Sequence, residues 1–125
     1  MGVASAGAIL VIEDDAGIRE TLADYLRFEG YQVDLACEGG EGLERLAARR
    51  PDVILVDLHM PGMDGGRFLE RLRADPETVA LPVVLMTGTR TIGGAVAAAD
   101  VVLQKPFELE ELLAAVSRFR PPGKA

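Results

Sequence analysis

One cysteine, one histidine, no tryptophan and 5% aromatic residues leave this 125-residue chain a narrow choice of chemistry. A single Cys excludes an internal disulfide framework and a four-thiolate zinc site. A single His excludes His-rich metal ligation and any mechanism that needs two imidazoles. Positive charge is also scarce: 13 Lys+Arg against 20 Asp+Glu leave a net charge of −7. Neither a footprint for direct nucleic-acid binding nor a basic face for anionic lipid is expected. No apolar run approaches the ~18 residues of a membrane span. Residues 1–8 are small and uncharged with no basic region before an apolar run, so they do not read as a signal peptide. Ala6 stands where a myristoylation signal needs Ser or Thr. A cytoplasmic location and no membrane contact are the expectation.

What is present suits one globular domain. Hydrophobic residues make up 49% and charged residues 26%, enough apolar surface for one core in a chain of ordinary domain length. Residues 1–7 read as a flexible start, 8–119 as the domain, and 120–125 as a tail or the start of a linker.

Five short apolar runs alternate with helical patterns. The runs are Ala8–Ile12, Tyr31–Ala36, Val53–Val56, Pro82–Met86 and Val101–Leu103. Four are almost continuously apolar, as parallel strands buried on both faces must be; the second alternates, as a strand nearer an edge does. Between them, Ile18, Leu22, Tyr25 and Leu26 form one helical stripe stopped by Gly30. Leu43, Leu46 and Ala47 form another, ended by Pro51. Phe68, Leu69 and Leu72 follow a candidate N-cap at Asp64, and Leu109, Leu112, Leu113 and Val116 close the series. Residues 89–99 hold Gly93, Gly94 and two threonines, a poor helix-forming composition that predicts a short or mobile fourth helix. Repeated strand–helix order implies right-handed crossovers and an open α/β sheet with helices on both faces.

Ligands of such sheets bind beyond the carboxyl ends of the strands. Glu13, Asp14 and Asp15 follow the first run, Asp57 the third, Thr87 the fourth and Lys105 the fifth. Taken singly, an acidic pair before a helix reads as a cap, and a lone Thr or Lys as surface. Together they put three mutually repelling carboxylates on one rim, an arrangement that costs stability unless a cation neutralises it. Oxygen ligands with no His or Cys pair suit a hard divalent ion, Mg²⁺ above all. The charges of three carboxylates, Lys105 and one such ion cancel. A metal, an ammonium and a hydroxyl around one point are the parts of phosphoryl transfer, and a carboxylate can itself be the nucleophile.

Ile9–Asp15, Asp57–Gly65, Met86-Thr87-Gly88 and Lys105-Pro106-Phe107 resemble, in order and at four strand ends, the receiver domain of two-component response regulators, the CheY-like fold. The resemblance runs from about Ile9 to Phe119. It implies a flavodoxin-like (βα)5 doubly wound parallel sheet in the order 2-1-3-4-5. It also implies Asp57 as phosphoacceptor, Thr87 and Lys105 as partners of the phosphoryl group, and a cis peptide before Pro106. For Mg²⁺ it implies Asp14 and Asp57 as direct ligands, Glu13 acting through water, and the backbone carbonyl of His59.

Other residues have plainer readings. His59 reads as a rim side chain rather than a relay. Pro61-Gly62 reads as a turn with Gly at positive φ. Cys37 reads as a buried small apolar residue rather than a redox sensor. Arg67, Arg71 and Arg73 read as a solvated helix face, and Glu108, Glu110 and Glu111 as favourable charge at the start of the last helix.

Two features depart from the family. The interval from Thr87 to Lys105 is shorter than usual by roughly one helical turn, and the aromatic usual three residues before the lysine is Val102. The reading is a Mg²⁺-dependent phosphoacceptor switch rather than a turnover enzyme. Its donor would be a sensor histidine kinase or a histidine phosphotransfer protein, and its output a protein contact. A homodimer through the fourth and fifth helices is compatible with the pattern. One alternative is a receiver-like scaffold that works without phosphorylation. The other is an aspartyl phosphatase of the haloacid-dehalogenase type, opposed by His59 where that family places a second aspartate.

Overall fold

The computed structural model describes residues 6–88 and 94–119. In chain order it contains β1 (Gly7–Ile12), α1 (Ala16–Phe28), β2 (Tyr31–Ala36), α2 (Gly39–Ala48) and β3 (Val53–Asp57). These are followed by α3 (Gly65–Ala74), β4 (Val83–Thr87), α4 (Gly94–Ala98), β5 (Val101–Gln104) and α5 (Leu109–Ser117). All strand pairs are parallel and the sheet order is β2-β1-β3-β4-β5, the flavodoxin-like CheY arrangement. The predicted tail at 120–125 and residues 1–5 of the predicted flexible start lie outside the described residues. Residues 6 and 7 belong to the packed domain instead. Ala6 is buried and its N–H donates to Gly30 O at 3.1 Å, and Gly7 pairs with Tyr31.

Three of the four continuous apolar runs form the central strands β1, β3 and β4, covered on both faces; the fourth, β5, is instead an edge strand, and its Val102 is exposed. Ile9, Val11, Val53, Leu55, Val84 and Met86 face one way, into a core with Leu22 and Leu26 of α1 and Leu112 and Val116 of α5. The alternate residues Leu10, Ile12, Ile54, Val56, Val83 and Leu85 meet Phe68, Leu69 and Leu72 of α3. Each such large side chain, fully buried, contributes about 1.5–3 kcal/mol. β2 lies at an edge, which accounts for its alternating pattern.

Most helix signals map onto the helices. Asp64 caps α3 through its carboxylate and Arg67 N, 2.9 Å apart. Gly30, directly after the C-cap Glu29 of α1, adopts φ +99°. Glu108 and Glu111 form a reciprocal capping box at α5. α4 is five residues long, short as its composition predicts.

Three readings need correction. Cys37 is exposed, not buried: it lies one residue past the end of an edge strand, touched by the polar Glu41 of α2 rather than by an apolar face. Arg73 is not part of a solvated face. Its guanidinium donates to the carbonyls of Ala98 (2.8 and 3.0 Å), Val79 (2.8 Å) and Leu81 (2.8 Å), and to Asp100 Oδ2 at 3.1 Å. Arg67 and Arg71 are exposed as expected. Ile18, placed on the buried stripe of α1, is 42% exposed, because the first turn of that helix overhangs the rim.

Candidate functional site

The parallel register gathers the polar residues. Ile12 pairs with Val56, so Glu13 and Asp57 stand one step beyond paired residues on adjacent strands. Asp57 pairs with Met86, and Thr87 with Gln104. Lys105 N donates to Thr87 O at 2.7 Å, carrying the ladder one residue past β5. Asp57 and Thr87 are the last residues of their strands rather than the first residues after them. They therefore inherit the strands' rigidity, and both are buried.

Carboxylate oxygens of Glu13, Asp14 and Asp57 all lie within 4.8 Å of one another. Lys105 Nζ stands 3.3 Å from Asp57 Oδ1 and 3.5 Å from Glu13 Oε1. Glu13 is 1% exposed, and its Oε1 is buried without a hydrogen-bond partner. Burial raises the Glu13 pKa above the ordinary 4.5. The N–H of Asp15 on its carboxylate opposes that shift, the Asp57 charge adds to it, and Lys105 opposes it in turn. A buried acid that faces two further carboxylates and shares a single lysine with Asp57 is a site short of positive charge. Its all-oxygen donor set fits a small hard divalent cation.

Loop geometry holds this cluster. Asp15 leaves the acidic group and becomes the N-cap of α1, accepting from Ile18 N at 2.9 Å. Asp15 N donates back to Glu13 Oε2 at 3.1 Å. Arg19 Nη1 donates to Glu13 O at 2.8 Å and reaches Asp14 O at 3.4 Å. After Asp57, the chain turns through residues 58–64, with Gly62 at φ +74° as the Pro-Gly pair predicts. Gly65 starts α3 so close to the site that a Cβ there would stand 2.5 Å from Asp57 O; only glycine permits that approach. His59 is exposed on this loop. Glu38 braces the loop from the neighbouring side. It caps Glu41 N at 2.7 Å and accepts from Met63 N at 3.4 Å, while Gly39 N donates to Met63 O at 2.9 Å.

Arg19 and Glu38 escape a reading of the sequence because they act on backbone groups. An arginine that grips carbonyls has the same local signature as a solvated one. Cys37 carries no redox signal: its thiol shares a proton with the Glu41 carboxylate, which pushes its pKa up and disfavours the reactive thiolate.

Cavities open on the surface of the described residues. One of about 560 Å³ is shallow and mostly apolar, bounded by Ile18, Leu22, Gly88, Lys105, Pro106, Phe107 and Leu109, and it abuts the site. The larger, about 820 Å³, lies between the far ends of α2 and α3, away from the carboxylates.

Residues 9–117 match the family model of the response regulator receiver domain. The chain is 43% identical over 110 residues to the response regulator MprA of Mycobacterium ulcerans, covering 85% of this chain and 47% of the relative. It is 42% identical to MprA of Mycobacterium avium over the same length. The chain thus spans about half the length of the curated relatives it matches. Among solved structures, a putative response regulator from Chloroflexus aurantiacus superposes with a TM-score of 0.84 at 33% identity, over 92% of this chain and 98% of that one. The chemotaxis response regulator CheY4 of Vibrio cholerae does so with a TM-score of 0.82 at 30% identity, over 93% and 99%.

Proposed function

The chain belongs to the response regulator receiver domain family of two-component systems, and from that premise we propose that Asp57 accepts a phosphoryl group from a partner's phosphohistidine. The observation that carries this reading is the convergence of Glu13, Asp14 and Asp57 within 4.8 Å beside Lys105. Residues 6–119 form the receiver unit.

In the transfer, an Asp57 carboxylate oxygen attacks phosphorus, the P–N bond to the donor imidazole breaks, and the nitrogen retains the electron pair and takes up a proton from solvent. Lys105, already 3.3 Å from Asp57, meets the negative charge of the incoming group. The Thr87 hydroxyl donates to a phosphoryl oxygen. Asp14, Asp57, the His59 carbonyl and, through water, Glu13 would hold Mg²⁺, which would supply positive charge against the phosphoryl oxygens. Hydrolysis of the acyl phosphate returns Asp57 and releases phosphate, so the domain acts as a switch with self-catalysed modification and no other substrate. Among the described residues no helix is long and apolar enough to cross a membrane, and a cytoplasmic site of action fits a kinase or phosphotransfer partner. The apolar surface of Ile18, Phe107 and Leu109 beside Lys105 suits contact with that donor.

A phosphorylation-independent scaffold gains support from the five-residue α4 and from the exposed Val102. The crowding of buried Glu13 against two further carboxylates opposes it, because a scaffold gains nothing from that cost. Intact-protein mass after incubation with acetyl phosphate decides between them. A Mg²⁺-dependent phosphoryl adduct on the wild type that is absent from Asp57→Asn is the expected result. No adduct, together with no beryllofluoride binding, would favour the scaffold.

A further inference from the structure

Two of the three clustered carboxylates, Glu13 and Asp14, sit on the short connection between β1 and α1. Glu13 is buried, but Asp14 is exposed, so its own packing does little to hold its orientation. The backbone beneath it is held from α1. Arg19, half-buried in the second turn, places Nη1 2.8 Å from Glu13 O and 3.4 Å from Asp14 O. A guanidinium on adjacent carbonyls restricts the peptide planes from which both side chains leave.

We propose that Arg19 is a positioning residue for the divalent-cation site, setting the β1–α1 backbone so that Glu13 and Asp14 converge on Asp57. This rests on the reading that the carboxylate cluster binds Mg²⁺. The two effects of Arg19 on a cation have opposite signs. As a charge beside an acidic cluster it repels the metal, and its removal tightens binding. As a clamp on the ligand-bearing backbone it preorganises the site, and its removal weakens binding. Groups that orient metal ligands alter affinity by about 10–100-fold when mutated, and the clamp outweighs the repulsion.

The test is Mg²⁺ titration by calorimetry on wild type, Arg19→Met and Arg19→Lys, with amide exchange of the metal-free proteins. Met keeps the apolar stem without the charge; Lys keeps the charge with a single donor head. The expected result is a Kd about tenfold weaker in Arg19→Met and an intermediate value in Arg19→Lys. Exchange at the Asp15 amide, which Glu13 Oε2 holds at 3.1 Å, is expected to be faster while Leu26 in the core of α1 is unchanged. Equal or tighter Mg²⁺ binding in Arg19→Met overturns the proposal, as does weaker binding with unchanged Asp15 exchange. Should the Met variant fail to fold, the Lys variant carries the test, and wild-type affinity there is the overturning result. A wild type that binds no Mg²⁺ overturns the cation reading and the proposal with it.

Discussion

The two sides of the rim are anchored from opposite ends. Around β1, β2 and β3 the hydrogen bonds converge at the rim itself. Arg19 grips the carbonyls of Glu13 and Asp14, Asp15 caps α1, and Glu38 braces the loop after Asp57. Around β4, α4 and β5, besides Lys105 N on Thr87 O at the rim, a cluster of hydrogen bonds lies at the far end. Arg73 ties α3 to Ala98, Val79, Leu81 and Asp100, and Asp100 Oδ2 accepts from Val83 N at 2.8 Å. The acidic side is thus pinned beside its carboxylates, and the β4–α4–β5 side has an arginine-centred anchor at the opposite end of an α4 under two turns long.

The largest expected effect comes from breaking the base. Arg73→Ala leaves part-buried carbonyls of Ala98 and Leu81 unpaired and is expected to cost about 2–3 kcal/mol in urea unfolding. Amide exchange should rise across 94–104 and stay unchanged in the β1–α1 connection. Equal acceleration on both sides would abolish the distinction between them. Next in size is Asp15→Ala, which removes the α1 cap and is expected to cost about 1 kcal/mol. Its exchange changes should stay within the first turn of α1 and the acidic connection.

The smallest effect has the opposite sign. Burial raises the Glu13 pKa, so the folded protein holds a proton at pH values where the unfolded chain has lost it. The folded state is favoured below the ordinary value of 4.5, and that advantage is lost as pH rises through the raised value. Glu13→Gln is therefore expected to melt slightly above the wild type at pH 7 without metal, with the difference shrinking toward pH 4.5. A variant that melts below the wild type at pH 7 would show that the acidic side is not strained by its own charge.

Much of the fold and the site was legible because the signals are local. Strands buried on both faces need continuous apolar runs, and the polar residues that end those runs must meet at one edge of a parallel sheet. Asp57, Thr87 and Lys105 could be picked out for that reason, and so could the short α4, from its glycines. Cys37 was misread because its burial depends on whether a helix covers the end of β2, and Arg73 because its partners are carbonyls 6–25 residues away and a carboxylate 27 away.

Sequence alone thus determined the strand–helix order, the two-faced core and the identity of the rim's ionisable groups, since each follows from residue type and spacing. Tertiary structure decided that Asp15 caps a helix while Glu13 and Asp14 join Asp57, and that one arginine grips the acidic backbone while another holds the base of α4. Those choices depend on backbone carbonyls and amides, which nearly every residue carries alike and which only the folded chain brings within reach of a particular side chain.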